Sequence, residues 1–286
     1  MHILLLYTFY FILAYLSLTL TLFLLSPILP ALSFPARCLS AYLSLVICAI
    51  YGVLISLALR LASNHRLAQH LTARSFAFTM RYTTGVTFNI VSGEHHLANS
   101  RPCVIVGNHQ SELDVLLLAR IFPPYCSVTA KSSLKRVPFL GWFMALSGTV
   151  FIDRANRQSA RQAFSGAAAE MLTHRQSVFI FPEGTRSYAR GPDLGTFKKG
   201  AFHLAVQAQV DVVPVVCANY WGLLGAREWR FRSGEIPVRV LAPVSTKGLA
   251  VEDVEGLTTR VRERMLDALR DVGETEAGRR VAGKGV

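Results

Sequence analysis

Charge of either sign is nearly missing from the first 60 residues, which hold only Arg37 and Arg60, and no Asp or Glu occurs before Glu94. Cysteine is sparse too. The five, Cys38, Cys48, Cys103, Cys126 and Cys217, form no CxxC pair, which argues against a disulfide framework or a zinc knuckle and for a reducing, cytosol-facing domain. A GxSxG elbow, an HExxH frame, internal repeats and a recognised nucleic-acid module are all lacking. His95-His96 and His65 with His70 have no acidic or Cys companions at metal-ligand spacing, so they read as surface histidines. The stretch from Gly278 to Lys284 has P-loop spacing, but Gly285 stands where Ser or Thr is needed.

What is present is apolar surface and positive charge. Hydrophobic residues make up 51% of the 286, enough for a sizeable core and too many for a disordered or fibrous chain. The formal net charge of +12 comes from the middle of the chain, where 61–250 carry 21 basic against 10 acidic residues. A basic, partly apolar domain suits anionic lipid head groups or phosphate-bearing substrates. Nucleic acid would satisfy the same charge but leaves the apolar N-terminus unexplained.

Residues 3–36 contain no charge, and a second uncharged run follows Arg37 from 38 to 59. As helices, each is long enough to cross a hydrocarbon core of about 30 Å at roughly 1.5 Å per residue. The 15 Leu, Ile and Phe residues of 3–25 contribute on the order of −4 to −9 kcal/mol to insertion. Pro27, Pro30 and Pro35 interrupt the apolar stretch and predict a turn, hence a two-helix hairpin over 1–60 that either spans the bilayer or dips into one leaflet. Arg60, Arg66, Arg74 and Arg81 follow with no acidic residue among them, which places the rest of the chain in the cytosol by the positive-inside rule.

Beyond an amphipathic stretch at 66–83, β-rich runs alternate with helical ones. Strands are predicted near 87–92, 103–107, 126–130, 149–153, 177–181, 211–216 and 237–242, with helices at 112–120, 157–174, 199–208 and 252–271. This pattern predicts an α/β domain over 61–272, a mixed and mostly parallel sheet flanked by helices, with 273–286 as a flexible tail.

Two motifs follow strands. The first is Asn108-His109-Gln110-Ser111-Glu112-Leu113-Asp114 after Val104-Ile105-Val106-Gly107. If a helix begins just past His109, Asp114 can fold back onto one imidazole nitrogen while the other faces substrate, a base and its orienter. The plainer alternative makes His109 an N-cap and Asp114 a first-turn partner of the helix dipole. The second is Phe181-Pro182-Glu183-Gly184-Thr185-Arg186-Ser187 after Ser177-Val178-Phe179-Ile180, where Gly184 permits close backbone approach, Thr185 and Ser187 donate, and Arg186 forks onto phosphate oxygens. Its alternative is an ordinary turn with Glu183 and Arg186 paired to each other. Lys131, at a strand end, opens a basic and then aromatic segment running to Phe143, while Lys198 and Lys199 read as surface charge.

These blocks resemble the 1-acyl-glycerol-3-phosphate (lysophosphatidic acid) acyltransferases, especially their fungal-type membrane members. The likeness runs from about residue 60 to 272. It includes the NHxxxxD block at Asn108 to Asp114, Lys131 with Leu134, Pro138, Gly141 and Trp142, Gly148 with Phe151-Ile152-Asp153-Arg154, the FPEGTRS block, and Val213-Pro214-Val215-Val216. The resemblance implies transfer of a fatty acyl group from acyl-CoA, a co-substrate, to the sn-2 hydroxyl of lysophosphatidic acid, with no cofactor, acyl-enzyme or metal. His109 would be the base and Asp114 its orienter. Glu183, Gly184, Thr185 and Arg186 would position the glycerol phosphate, with Lys131 as a second cation. The alternatives are another lysophospholipid or glycerol 3-phosphate as acceptor, or an inactive membrane-anchored lipid-binding protein. The expected location is a membrane, the endoplasmic reticulum if the cell is eukaryotic.

Overall fold

The computed structural model describes residues 2–283. Helix α1 (His2–Leu25) stops where Ser26 precedes Pro27, a pairing that disfavours helical backbone. A 3₁₀ turn at Pro30–Leu32 leads into α2 (Ser33–Leu61). Pro35 does not break this helix as expected, because it sits in the first turn, where its missing N–H has no intrahelical acceptor to lose. Every buried residue of α2 is small: Ala36, Ser40, Ser44, Cys48, Ala49, Gly52 and Ser56. That face lets α2 lie closely along α3 (Ala68–Thr84), while α1 packs only on α2 and exposes nearly all of its surface.

The domain then runs β1 (Val86–Ser92), α4 (Glu94–Asn99), β2 (Cys103–Gly107), α5 (Asp114–Ile121), β3 (Cys126–Lys131), α6 (Leu140–Leu146), β4 (Val150–Ile152), α7 (Arg157–His174) and β5 (Ser177–Ile180). It continues with α8 (Gly200–Ala208), β6 (Asp211–Cys217), a ribbon of β7 (Leu224–Gly225) and β8 (Arg230–Phe231), β9 (Gly234–Val240), α9 (Val254–Glu274) and α10 (Glu276–Ala282). All seven predicted strands enter one sheet in the order β1-β9-β6-β2-β5-β3-β4, parallel except where β6 meets β9. β2 and β5 are buried at every position because helices cover both faces, hence their unbroken apolar runs. Pro214 is tolerated inside β6 because the ladder to β9 involves only Val215, Val216 and Cys217.

Helices α3 and α5 cover one face of the sheet, and α7, α8 and α9 the other. α9 buries Val254, Leu257, Val261, Met265 and Leu269, each contributing roughly 1.5–3 kcal/mol. The segment expected to be a loose tail differs: α10 is capped by the Thr275 hydroxyl accepting from the Gly278 N–H at 3.0 Å, and buries Gly278 and Val281. Alternating Gly and charge hid this short helix, which tertiary packing supports. The end of the predicted tail, 284–286, lies outside the described residues.

Parallel pairing sends the C-terminal ends of β4, β3, β5, β2 and β6 to the same edge. Both sequence motifs leave the sheet there, as strand-end chemistry in α/β folds requires.

Candidate active site

The chain leaves β2 at Gly107, and α5 begins at Asp114, so residues 108–113 form a tight connection between them. Two amide side chains tie this connection to the end of β6. Asn108 donates to the Cys217 carbonyl and accepts from its N–H, both at 3.0 Å, and Gln110 donates to the Ala218 carbonyl at 3.0 Å. Asp114, 1% exposed, turns back over the connection. Its Oδ2 accepts from His109 Nδ1 at 2.7 Å and from the N–H groups of Gln110 at 2.6 Å and Ser111 at 3.1 Å. Its Oδ1 accepts from the Tyr220 hydroxyl at 2.7 Å.

A carboxylate only accepts, so the proton of neutral His109 resides on Nδ1 and the lone pair on Nε2. The imidazole stacks on Phe181, with centroids 4.0 Å apart and planes 14° apart, and Phe181 meets Phe179 edge-on. The His109 side chain keeps 17% exposure. The arrangement is a fixed base with one nitrogen available to a reactant.

The second motif is bonded directly to the first. Ser187 N–H donates to the His109 carbonyl at 2.9 Å, and Tyr188 N–H to that of Gln110 at 3.0 Å. Glu183, expected among the acceptor-binding groups, braces the loop: Oε1 accepts from His109 N–H at 2.8 Å and Oε2 from Gly195 N–H at 2.9 Å. It is 5% exposed, and burial pushes its carboxyl above the ordinary value of 4.5 despite those two donors. Gly184 adopts φ +69°, and a Cβ there would meet the Lys198 side chain at 3.0 Å. Thr185 is exposed. Arg186 pairs with Glu112 at 3.0 Å, not with Glu183, and Glu112 also accepts from the Tyr188 hydroxyl at 2.7 Å.

Lys131 ends β3 and is exposed. Two strand spacings separate β3 from β2, with β5 between them, a separation of about 10 Å. Arg154, past β4, donates to the Gly184 carbonyl, and Lys198 donates its N–H to the Pro182 carbonyl at 2.8 Å. Lys131, Arg154, Arg186 and Lys198 thus stand at the strand ends beside the dyad. On the β6 side, Trp221 carries Arg190 and Arg230 over its ring at 5.1 and 4.0 Å. Clefts of about 330 and 410 Å³ elsewhere are lined by none of these residues.

A family model described as Acyltransferase matches residues 89–218, the span that holds both motifs. A 1-acyl-sn-glycerol-3-phosphate acyltransferase of Saccharomyces cerevisiae is 43% identical over 84% of this chain and 79% of its own length. The chain belongs to the 1-acyl-sn-glycerol-3-phosphate acyltransferase family. The human member named alpha is 41% identical over 70% of this chain and 69% of its own. A solved relative, the 1-acyl-sn-glycerophosphate (LPA) acyltransferase PlsC of Thermotoga maritima, superposes with a TM-score of 0.65 at 25% identity, covering 92% of this chain and 98% of that one.

In this acyltransferase, the sequence reading missed Tyr220, Gln110, Lys198 and Arg154 as parts of the site. Gln110 and Arg154 stand inside the motif blocks with no role expected of them, and Lys198 was expected as surface charge. The amides flanking His109 were a usable signal, since Asn and Gln beside a strand-end histidine suggest backbone clamps. Tyr220 gave none, because it lies 106 positions from its partner Asp114.

Proposed function

We propose that the protein transfers a fatty acyl group from acyl-CoA to the sn-2 hydroxyl of 1-acyl-sn-glycerol 3-phosphate, giving phosphatidic acid. The observation that carries this reading is the 2.7 Å contact between His109 Nδ1 and a buried, fully bonded Asp114, beside strand-end cations suited to a phosphomonoester. His109 Nε2 takes the hydroxyl proton as the alkoxide oxygen bonds to the thioester carbon. The C–S bond then breaks, and the departing thiolate recovers the proton from the imidazolium. Asp114 supports that transient charge, and base catalysis of this kind is worth about 10²–10⁴-fold. A thioester is already activated, so placement and proton transfer suffice.

Arg186, Arg154, Lys131 and Lys198 receive the acceptor phosphate, with Gly184 and Thr185 beside it. Arg190 and Arg230 on Trp221 lie on the other side of the dyad, toward the anionic nucleotide of the donor. The hairpin keeps this edge at a lipid surface. Carrying α2 across a bilayer would drag along α3, with exposed Arg74 and Arg81, at about 2.5–3.5 kcal/mol each. α1 and the outer face of α2 therefore seat in the near leaflet, with the domain on the cytosolic side and the endoplasmic reticulum as its membrane in a eukaryote.

The test is purified protein in lipid with labelled acyl-CoA, run against lysophosphatidic acid, glycerol 3-phosphate and lysophospholipids with larger head groups, beside His109→Ala. Phosphatidic acid from lysophosphatidic acid, lost in the variant, is the expected result. Preference for another acceptor, or activity retained without the imidazole, overturns it.

A further inference from the structure

The His109–Asp114 pair does not end at Asp114. Tyr220, 1% exposed and just past β6, places its hydroxyl 2.7 Å from Asp114 Oδ1 and 2.9 Å from Ser111 Oγ. Donor accounting fixes the direction of these bonds. The carboxylate accepts only, so the single phenolic proton points to Asp114, and Ser111 must donate to the phenolic oxygen. Ser111 Oγ in turn accepts from Leu113 N–H at 3.2 Å. The result is a one-way chain from Leu113 N–H through Ser111 and Tyr220 to Asp114, whose other oxygen holds His109. Burial, with the Asp114 charge adding to it, pushes the Tyr220 phenol well above its ordinary value, so it remains a donor.

We infer that Tyr220, backed by Ser111, is a positioning residue for the base: its hydroxyl fixes the plane of the Asp114 carboxylate and draws on its charge, setting both the aim and the basicity of His109. This rests on His109 acting as the base. The bond to Oδ1 is the only one on that oxygen among the described residues; every other donor to Asp114 converges on Oδ2. Without it the carboxylate can swing about its Cβ–Cγ bond, and the imidazole loses its aim. The charge that Tyr220 had drawn on also becomes more available to stabilise the imidazolium. The other ionisable groups around the dyad are buried Glu183 and Cys217, Glu112, Arg186 and Tyr188 at the rim, and Lys131, Arg154 and Lys198 at the strand ends. A change at Tyr220 leaves the direct bonds of Glu183, Glu112, Arg186 and Tyr188 intact.

The experiment compares kcat, KM and the pH profile of kcat/KM for wild type, Tyr220→Phe, Ser111→Ala, His109→Ala and a packing control, Phe88→Leu, which loosens the ring that meets Tyr220 edge-on at 5.9 Å. Tyr220→Phe is expected to lower kcat about 10- to 100-fold with KM for both substrates within about twofold, and to raise the acid limb by about half to one pH unit. Ser111→Ala shifts the limb in the same direction by less, and Phe88→Leu lowers Tm without moving it. If Tyr220→Phe does not fold, Ser111→Ala decides: a displaced limb supports the inference and a wild-type limb overturns it. A wild-type limb and kcat in Tyr220→Phe, beside an inactive His109→Ala, overturn the role of Tyr220 alone. Activity in His109→Ala overturns the base itself.

Discussion

His109 is held on three sides, by Asp114 through Nδ1, by Glu183 through its backbone N–H and by Phe181 across its ring, and each hold fails differently when altered. Asp114→Asn can keep a carbonyl oxygen for the three donors on Oδ2, but it turns an NH2 toward the Tyr220 hydroxyl and removes the negative charge that supports the imidazolium. A kcat lower by about 10²–10⁴-fold is expected, with KM little changed. Arg186→Lys keeps the charge but removes the planar fork; KM for the phosphate-bearing acceptor rises about tenfold while kcat changes less. Glu183→Gln leaves one of two buried N–H groups without an acceptor, at about 1–3 kcal/mol. The native carboxyl is held above its ordinary value by burial, so folding favours its protonated form. That contribution is fully present at acid pH and is lost as pH rises through the raised value. The Tm advantage of wild type over Glu183→Gln therefore narrows as pH rises from the ordinary carboxylate value of 4.5 through the raised one, which thermal melts over a pH series will show. His109, Asp114 and Arg186 were readable as candidates because each sits in a short motif after a strand. The bracing role of Glu183 was not, since it depends on Gly195 and on the backbone of the neighbouring strand's loop.

The strands were legible for the same reason they are stable: a fully buried parallel strand shows as an uninterrupted apolar run, as in Cys103–Gly107 and Ser177–Ile180. α9 was legible from its 3- and 4-residue apolar spacing. α4, α6 and α10 were not, because helices of 6 or 7 residues carry too few turns for a periodicity to appear and rely on packing. α6 shows what that packing is. A Cβ on Gly52 of α2 would come within 2.5 Å of the Phe143 ring of α6, so the two helices touch where one has no side chain. Gly52→Leu overpacks this contact by about 1–3 kcal/mol and is expected to lower Tm in detergent by roughly 3–8 °C, as read by differential scanning fluorimetry.

The whole molecule is a layer of apolar helices bonded to a catalytic sheet. α2 is fastened at both ends, with Arg37 donating to the Thr84 carbonyl and Arg60 to that of Leu146 at 2.8 Å, whereas α1 contacts little besides α2. Removing 2–32 therefore deletes most of the hairpin's exposed apolar side chains and leaves the docked helix. The expected outcome is a large drop in the fraction floating with vesicles. Activity on long-chain acceptor in bilayers should fall about tenfold or more relative to a monomeric short-chain acceptor, because the two-dimensional concentration of substrate is lost.

Composition, charge placement and apolar patterning by themselves determined that this chain has an apolar N-terminal pair of helices, a mixed α/β domain and two strand-end motifs, because hydrophobic periodicity and turn-forming residues act over a few positions. Tertiary structure decided which groups share a hydrogen bond: that Asp114 answers to Tyr220, that Glu183 braces a loop, that Arg186 pairs with Glu112, and that α2 lies on the domain. Those pairings depend on strand order and on the close approach of distant segments, such as the 106 positions between Asp114 and Tyr220, and no local pattern encodes them.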